Sequence, residues 1–471
     1  MKRTVRISGI EIKNFKNVVK GTLFFDNPRK DYKASILGLY GQNGSGKTAL
    51  IDSIELLKKI LDGKSADAFY SDYINVDHKE AEITYYFNVV ADDKKKAVQY
   101  TVTLKKEERF DDNNEKKEVL IICKELLKCP IISEKGVKTG KLIDTDTEDI
   151  FVPVAKKQLL VGKSNKNDMY LMVSKKIAEA QSKSFIFSNE LFENIFERLK
   201  SNDLSETERK EIEYYLNILS ALKRYGNSEL FVYNKKNSAV ISLNAQPLLF
   251  SYKDKQIGIA HGSMIFPLNE PCVIPENYKN VADKVLSNMN LVLKQLVPGL
   301  TISMKELGTQ VMENGDVGFR VQFMSNKNNK EIPLSYESEG IKKIISILQL
   351  LIVVFNEESV TVAVDELDSG IFEYLLGELL NIISEQGNGQ LIFTSHNLRP
   401  LETLDVGFVA FTTTNPENRY VRLKGTKDTN NVRDCYYRNI MLNTSEEELY
   451  DHTNNSEIAF AFMEAGEYGD R

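Results

Sequence analysis

The stretch from Gly41 to Thr48, "GQNGSGKT", decides the fold, because it matches every fixed position of the phosphate-binding loop G-x-x-x-x-G-K-[ST]. It follows the apolar run "SILGLY" of residues 35–40 and precedes a segment in which apolar side chains recur at helical spacing, at Leu50, Ile54, Leu57 and Leu61. The order of elements is therefore a strand, a glycine-rich turn and an amphipathic helix. This is the local context that distinguishes a phosphate-binding loop from an ordinary glycine turn.

Each fixed residue type in this loop has a chemical reason. Glycines allow backbone N–H groups to wrap phosphate oxygens at a helix N-terminus. Lys47 is expected to meet the β- and γ-phosphates of ATP, and Thr48 to ligate Mg²⁺. The residues predicted to bind the nucleotide here are Gly41, Asn43, Gly44, Ser45, Gly46, Lys47 and Thr48.

Two later segments supply the groups that such a loop needs for hydrolysis. In "VTVAVDELDSG", residues 360–370, an apolar strand ends in Asp365, which can hold Mg²⁺, and Glu366, which can orient or deprotonate water. In "LIFTSHN", His396 follows another apolar strand, where it can reach a γ-phosphate. Alone, an acidic pair often caps a helix and a single histidine is usually structural. The loop at Gly41 favours the catalytic interpretation.

The stretch "PLSYESEGIKKI", residues 333–344, predicts a strand end, a polar turn and a helix start. Ser338 and Gly340 bring a hydroxyl group, free backbone donors and the positive end of a helix dipole to this turn. These groups favour binding of an anion. The alternative is an ordinary helix cap.

The remaining pattern predicts an α/β protein: a head with a central, mostly parallel sheet, interrupted by an α+β insertion. We place the N-terminal lobe in residues 1–104, the insertion in 105–299 and the C-terminal lobe in 300–471. The insertion should contain a helical hairpin over residues 191–222. Ser205 and Glu208 form a capping box for its second arm, and Gly226 is expected to end that arm.

The composition of the chain indicates its cellular compartment and limits its possible partners. The formal net charge of −6 argues against indiscriminate nucleic-acid binding, although residues 156–183 carry seven lysines against Asp168 and Glu179. The four cysteines contain no CxxC pair, and the N-terminus lacks the apolar core of a signal peptide. The most apolar run, residues 341–355, is too short to span a bilayer. We therefore expect a cytoplasmic protein without a membrane segment.

Taken together, the loop at 41–48, "SYESEGIKK", "AVDELDSG" and "TSHN" resemble the ATP-binding-cassette (ABC) class of P-loop ATPases. Within it they resemble the soluble branch of SMC-like repair ATPases, RecF and the OLD family. The chain is most similar to AAA-type, OLD-like ATPases of bacterial anti-phage systems, such as the ATPase subunits of Septu and PARIS. The resemblance covers roughly residues 1–100 and 300–471. It departs from the class in meeting "LSGGQ" only loosely and in offering no glutamine for the loop that senses Mg²⁺.

The resemblance implies a homodimer or higher homo-oligomer in which two copies of the chain enclose two ATP molecules. Ser338 and Gly340 would contact the γ-phosphate bound to the other copy, and Asp368 would lie near the seam between them. Asp365 would support Mg²⁺, Glu366 would position water and His396 would sense the γ-phosphate. Lys47 would complete the catalytic set.

Several functions remain open from the sequence. The first is a sensor or scaffold ATPase of phage defence that controls a separately encoded toxin or nuclease, with a phage protein as the trigger. The second is a RecF- or SMC-like repair ATPase that clamps DNA. A transporter subunit is disfavoured by the 318 positions between Lys47 and Asp365. A metal nuclease built on Asp365, Glu366 and Asp368 is disfavoured because Mg-ATP uses those carboxylates better. A protein in which bound ATP only stabilises the structure, without hydrolysis, also fits the motifs.

Overall fold

The computed structural model describes residues 3–91, 94–110, 116–133, 136–254, 258–312, 315–328, 330–423, 431–442 and 447–467. The strands are β1 (Thr4–Phe15), β2 (Val18–Phe24), β3 (Ser35–Tyr40), β4 (Glu80–Ala91), β5 (Lys94–Phe110), β6 (Lys116–Ser133), β7 (Gly136–Asp144), β8 (Leu230–Tyr233), β9 (Ala245–Asp254), β10 (Gly258–Pro267), β11 (Cys272–Pro275), β12 (Leu300–Val311), β13 (Val317–Lys327), β14 (Lys330–Pro333), β15 (Thr361–Val364), β16 (Gln390–Thr394), β17 (Val409–Thr412) and β18 (Tyr420–Val421). The α-helices are α1 (Lys47–Leu61), α2 (Val154–Val161), α3 (Asn165–Ala180), α4 (Asn189–Leu199), α5 (Glu206–Arg224), α6 (Lys235–Ser242), α7 (Glu276–Leu296), α8 (Glu339–Asn356), α9 (Glu373–Gln386), α10 (Pro400–Thr403), α11 (Val432–Leu442) and α12 (Asn455–Glu467).

A six-stranded central sheet positions the predicted motifs, with strand order β18-β17-β3-β16-β15-β8. All neighbouring strands in it are parallel except β18, which is antiparallel to β17. Because the strands are parallel, the residues that follow β3, β16, β15 and β8 meet at one edge of the sheet. The predicted α/β class with a mostly parallel central sheet is confirmed.

Alternate residues of the central strands belong to two separate cores. On β15, Ala363 packs into one apolar cluster, whereas Val362 and Val364 pack into the other. β16 shows the same alternation, with Ile392 on the first side and Phe393 on the second. Both faces of the sheet are therefore covered, which explains why its strands are continuously apolar in sequence.

The first core lies between the central sheet and a second, antiparallel sheet of order β2-β1-β4-β5-β6-β7. It includes the apolar faces of α1, α4 and α5. The second core contains α7, α8 and α9, together with the sheet formed by β11, β13 and β12, with β14 paired to β13. The antiparallel hairpin β9–β10 packs on this side, with β9 against α8.

The insertion is continuous with the head at two places. Residues 105–110 extend β5 of the antiparallel sheet, so position 104 falls within a strand. Residues 230–233 form β8, which pairs with β15 in the central sheet. The division at 104 and 299 stays a prediction, while these two elements of the proposed insertion belong to sheets that the head residues also build.

The predicted helical hairpin is present as α4 and α5, and Ser205 with Glu208 forms the capping box in full. The prediction that Gly226 stops α5 is wrong. The helix continues into a π-helical turn, Tyr225–Glu229, and a Cβ added at Gly226 would overlap Leu61 of α1. Glycine is needed there because this turn and α1 approach closely. In the part of the chain that the structure describes, no helix combines the length and apolarity required to cross a bilayer.

Candidate nucleotide-binding site

The phosphate-binding loop connects β3 to α1 through glycines with positive φ. Gly44 has φ 76° and Gly46, the residue before α1, has φ 95°, conformations that favour glycine strongly. At Gly41 a Cβ would overlap the side chain of Thr412 at the end of β17. The sequence of the loop is therefore dictated by its backbone path, which leaves the N–H groups at the start of α1 free for an anion.

Lys47 lies across this loop. Its Nζ donates hydrogen bonds to the carbonyl oxygens of Gly41, at 2.6 Å, and of Gln42, at 2.8 Å. Burial lowers the pKa of Lys47 to about 8, although the negative charges of Asp365 and Glu366 act to raise it. The ammonium group is thus held at the mouth of the loop, close to the two carboxylates predicted to act with it.

Residues of the C-terminal lobe support the loop from behind. Ser45 Oγ shares a hydrogen bond with Thr412 Oγ1 and donates to Gln42 O at 2.6 Å. Tyr420 on β18 donates its hydroxyl proton to Gly46 O at 2.9 Å. A further contact comes from Asp451, whose backbone N–H donates to Gln42 Oε1 at 2.9 Å. Residues remote in sequence therefore hold the predicted loop in shape.

Asp365 follows β15 and is 2% exposed. Its Oδ1 accepts a hydrogen bond of 2.6 Å from Thr394 Oγ1, at the end of β16, while Oδ2 is buried and has no hydrogen-bond partner among the described residues. A buried carboxylate oxygen without a donor suits a cation. Mg²⁺ commonly takes one carboxylate together with hydroxyl, phosphate and water oxygens, so Asp365 and Thr48, which line one cavity, fit this ion. Among the described residues, no group of three or more His, Cys, Asp or Glu side chains is placed to hold a metal by itself.

Glu366 has a left-handed backbone conformation, with φ 50°, that a glutamate adopts only when its surroundings hold it. Its N–H donates to Thr394 Oγ1 at 2.8 Å, and its carbonyl oxygen accepts from Lys343 Nζ at 2.5 Å. Its Oε1 pairs with Lys235 Nζ at 3.0 Å. Partial burial would raise the pKa of Glu366, but the Lys235 cation outweighs it and lowers the pKa, so the side chain is a carboxylate at neutral pH.

His396 follows β16 at the same edge of the sheet. Burial, and then the charge of Lys47, lower the pKa of His396, so the imidazole is neutral at pH 7 and retains one N–H donor. The backbone N–H groups of His396 and Asn397 donate to Asp368 Oδ2, at 3.1 and 2.9 Å. Asp368 therefore fixes the loop that carries His396 within its own chain.

One cavity of about 600 Å³ joins most of these groups. Among the predicted site residues, it is lined by Asn43, Gly44, Gly46, Lys47, Thr48, Asp365, Glu366 and His396. Its further walls are Lys16, Asn17, Ala49, Asp72, Tyr73, Ile74, Asn75, Val76 and Lys235. A cavity of this size admits a nucleotide-sized ligand.

Ser338 and Gly340 do not line this cavity. Ser338 is exposed and caps α8 by accepting a hydrogen bond from Ile341 N at 3.3 Å, so the helix cap that was the alternative interpretation is present, and contact with a second copy stays a prediction. Gly340 is packed against Gly370 so closely that a Cβ would overlap the Gly370 carbonyl oxygen. The turn and the segment 368–370 thus form one surface of the chain beside the cavity residues Asp365 and Glu366.

Sequence reasoning missed Lys235, Thr394 and Thr412. β8, "LFVY", is a short apolar run followed by a polar pair, as β15 is, and that similarity is the signal that could have indicated Lys235. Thr394 and Thr412 each end an apolar strand as well. Nothing in a threonine identifies which carboxylate or glycine will lie beside it, because that depends on strand order.

The family comparison agrees with this geometry. The protein family described as "AAA domain, putative AbiEii toxin, Type IV TA system" matches residues 36–402. This range runs from the phosphate-binding loop past His396 and covers more than half of the chain, so the protein belongs to this AAA-domain family. No curated protein matches the chain in sequence.

Solved structures of low sequence identity are also similar. They include the Smc head domain with an extended coiled coil bound to the C-terminal domain of ScpA from Pyrococcus furiosus, with 14% identity, 89% of this chain and 96% of that chain covered, and a TM-score of 0.39. The SMC head domain from Thermotoga maritima has 13% identity, with 89% and 99% covered and a TM-score of 0.36. The recombination mediator RecF with ATP has 14% identity, with 90% and 100% covered and a TM-score of 0.35.

Proposed function

We propose that this protein is a Mg²⁺-dependent ATPase of the ABC type that acts as a cytoplasmic homo-oligomer. The observation that supports this best is the single cavity that joins Lys47 and Thr48 to Asp365, Glu366 and His396. These residue types, in one enclosure, are the ones that phosphoryl transfer to water requires.

Each side chain has a role that its surroundings support. The loop N–H groups and Lys47 bind the phosphates, and Thr48 and Asp365 hold Mg²⁺, which when bound would neutralise charge on the β- and γ-phosphates. Glu366, a carboxylate at neutral pH, orients water. His396, with a neutral ring, donates its N–H towards the γ-phosphate.

A second copy of the chain completes the site in this proposal. Ser338 is exposed and Gly340 lies outside the cavity, at the start of α8. A helix N-terminus attracts an anion, and the anion that a second copy presents is the γ-phosphate in its own loop. The exposed aromatic residues Tyr336 and Phe372 flank this turn and the 368–370 segment, as apolar contacts between copies would require.

The biological role that we propose is control of a toxin or nuclease in bacterial anti-phage defence, with a phage protein as the trigger. The family description names a toxin and a Type IV toxin–antitoxin system, which supports an association with a toxic partner. The resemblance to the ATPase subunits of Septu and PARIS points in the same direction. Loss of protection in a Lys47→Ala strain with an otherwise intact operon would support this role, and unchanged protection would contradict it.

The test of the ATPase assembly is the mass in solution of Glu366→Gln with and without ATP and Mg²⁺. Replacing this carboxylate should trap ATP, so the variant should assemble when both are added. Adding Ser338→Arg should abolish that assembly, because a large cation would occupy the place of the neighbouring phosphate contact.

Ser164→Arg in the same background is the matched control. Ser164 also precedes a helix, α3, and is exposed, but it lies outside the proposed interface. It should leave the assembly intact. An assembly that forms without ATP and persists in the Ser338→Arg variant would contradict the proposed ATP-bound dimer.

The alternative of a DNA clamp rests on the lysines of residues 156–183, and their contacts weigh against it. Lys156 pairs with Glu211, Lys157 with Asp149 and Asp168, and Lys176 with Glu179. Lys175 donates to three backbone carbonyl oxygens, of Thr145, Thr147 and Asp149. Hydrolysis stimulated by DNA, with a steep salt dependence, would favour the clamp over the defence role.

A further inference from the structure

Lys235 lies beside the catalytic carboxylates because of its strand. β8 pairs in parallel with β15, with Tyr233 opposite Val364, and Asp365 N donates to Tyr233 O at 2.8 Å. The residues that follow the two strands are therefore neighbours. Lys235, the first residue of α6, comes to lie next to Glu366.

The contact between the two side chains is close but easily exchanged. Lys235 Nζ lies 3.0 Å from Glu366 Oε1, and the side chains are 57% and 38% exposed. Ion pairs this accessible to water contribute little net stability, so another anion can replace the carboxylate at small cost. Lys235 lines the same cavity as Lys47 and His396, where the phosphates of a nucleotide would lie.

We propose that Lys235 is a positioning residue that responds to the γ-phosphate. Without a triphosphate, the Lys235 ammonium group pairs with the Glu366 carboxylate. When a triphosphate binds in the cavity, the ammonium group pairs instead with the more highly charged γ-phosphate, and the Glu366 carboxylate can then orient water. ADP lacks that phosphate and leaves the ion pair in place. This inference rests on the proposed ATPase function and adds a residue that distinguishes ATP from ADP.

The helix that carries Lys235 also connects the site to α8. α6 leads into β9, where Gln246 is fully buried and donates through Nε2 to Lys342 O, at 3.0 Å, and to Ser346 Oγ, at 2.6 Å. Lys342 and Ser346 belong to α8, the helix that begins at the Ser338 turn. α8 returns to the site through Lys343, which donates to the Glu366 carbonyl oxygen. The segment that follows α6 and the residue that pairs with Lys235 are thus both hydrogen-bonded to α8.

The experiment measures equilibrium binding of a non-hydrolysable ATP analogue and of ADP, both with Mg²⁺, by calorimetry. The wild type should prefer the analogue. Lys235→Ala should lose about tenfold or more of that preference, since a charge-assisted contact with the γ-phosphate is removed. Lys235→Arg should keep most of it. Lys236→Ala is the matched control, because Lys236 is the next residue of α6 but stacks over Phe69 and does not line the cavity.

A double-mutant cycle tests the competition itself. Glu366→Gln removes the carboxylate that holds Lys235, so the affinity for the analogue should rise, and that gain should be smaller when Lys235 is already alanine. Additive effects of the two changes, or an unchanged preference for the analogue over ADP in Lys235→Ala, would overturn the inference. In either case, binding of the ATP analogue by the wild type would still support the proposed ATPase. A wild type that binds neither nucleotide would overturn the proposed function and this inference together.

Discussion

Thr394 and Asp365 end neighbouring strands, and the Thr394 hydroxyl donates a hydrogen bond of 2.6 Å to Asp365 Oδ1. The same hydroxyl oxygen accepts from Glu366 N at 2.8 Å. One side chain therefore orients both adjacent carboxylate residues and leaves Asp365 Oδ2 for a cation.

Thr394→Val should weaken Mg²⁺-dependent nucleotide binding about tenfold, because outer contacts that orient a metal ligand typically carry such effects. Binding measured without Mg²⁺ should change much less. Titration of a fluorescent ATP analogue with and without Mg²⁺ would measure both. Thr361→Val is the control, since Thr361 is equally buried on β15 but lies at the opposite end of that strand. Equal losses with and without Mg²⁺ would contradict the role of Thr394.

Gly340→Ala should disturb the surface formed by the Ser338 turn and the segment 368–370. A Cβ there overlaps the Gly370 carbonyl oxygen, so one of the two backbones must move. We expect loss of ATP-dependent assembly in the Glu366→Gln background, measured by light scattering, while the monomer still binds ATP. Gly466→Ala, where a Cβ would meet open space, should assemble normally. Normal assembly of Gly340→Ala would contradict the proposed interface.

Glu125→Gln should destabilise the protein by about 2–4 kcal/mol. Glu125 is 3% exposed on β6 and accepts hydrogen bonds from Tyr100 Oη and from Phe185 N, both at 2.7 Å, and from Ser184 Oγ. An amide would place a donor opposite these donors. Urea unfolding would measure the loss, and Glu118→Gln, exposed on the same strand, should change stability by less than about 0.5 kcal/mol. Equal effects would show that the buried contacts contribute little.

Lys58→Met should reduce the rise of the free energy of unfolding with pH at alkaline pH. Lys58 donates to Leu230 O at 2.6 Å, and burial lowers the pKa of Lys58 from 10.5 to about 8. Between these values the unfolded chain binds a proton that the folded chain has released, so stability rises with pH, by about 1–3 kcal/mol from this group. Below about pH 8 both states are protonated and the burial cost is complete.

The measurement is urea unfolding at pH 7.5 and 9.5. Stability should rise less between the two values in Lys58→Met than in the wild type, and at pH 7.5 the variant should be as stable as the wild type or more so. Lys210→Met, a change at an exposed site on α5, should keep the wild-type rise. Identical rises in all three proteins would contradict a partly buried Lys58 cation.

Much of the site could be predicted because its markers are local. The loop at 41–48, and the short apolar strands that end in Asp365 and at His396, each carry their chemistry within a few residues. Parallel strands bring their ends to one edge of a sheet, so the strand pattern predicts that these groups share an edge, whereas strand order decides which of them are neighbours. Around one cavity the structure places both carboxylates, His396 and five residues of the loop, namely Asn43, Gly44, Gly46, Lys47 and Thr48.

The sequence by itself determined the α/β class, the phosphate-binding loop and the residue types available for hydrolysis, because short-range spacing and apolar periodicity encode them. Only the tertiary structure decided which residues lie beside one another. Lys235 meets Glu366 because β8 pairs with β15, more than a hundred residues further along the chain, and Gly226 serves a close approach to Leu61 where its local pattern indicated a helix end. Strand order and helix contacts arise from packing of the whole chain, and no local pattern of residues contains them.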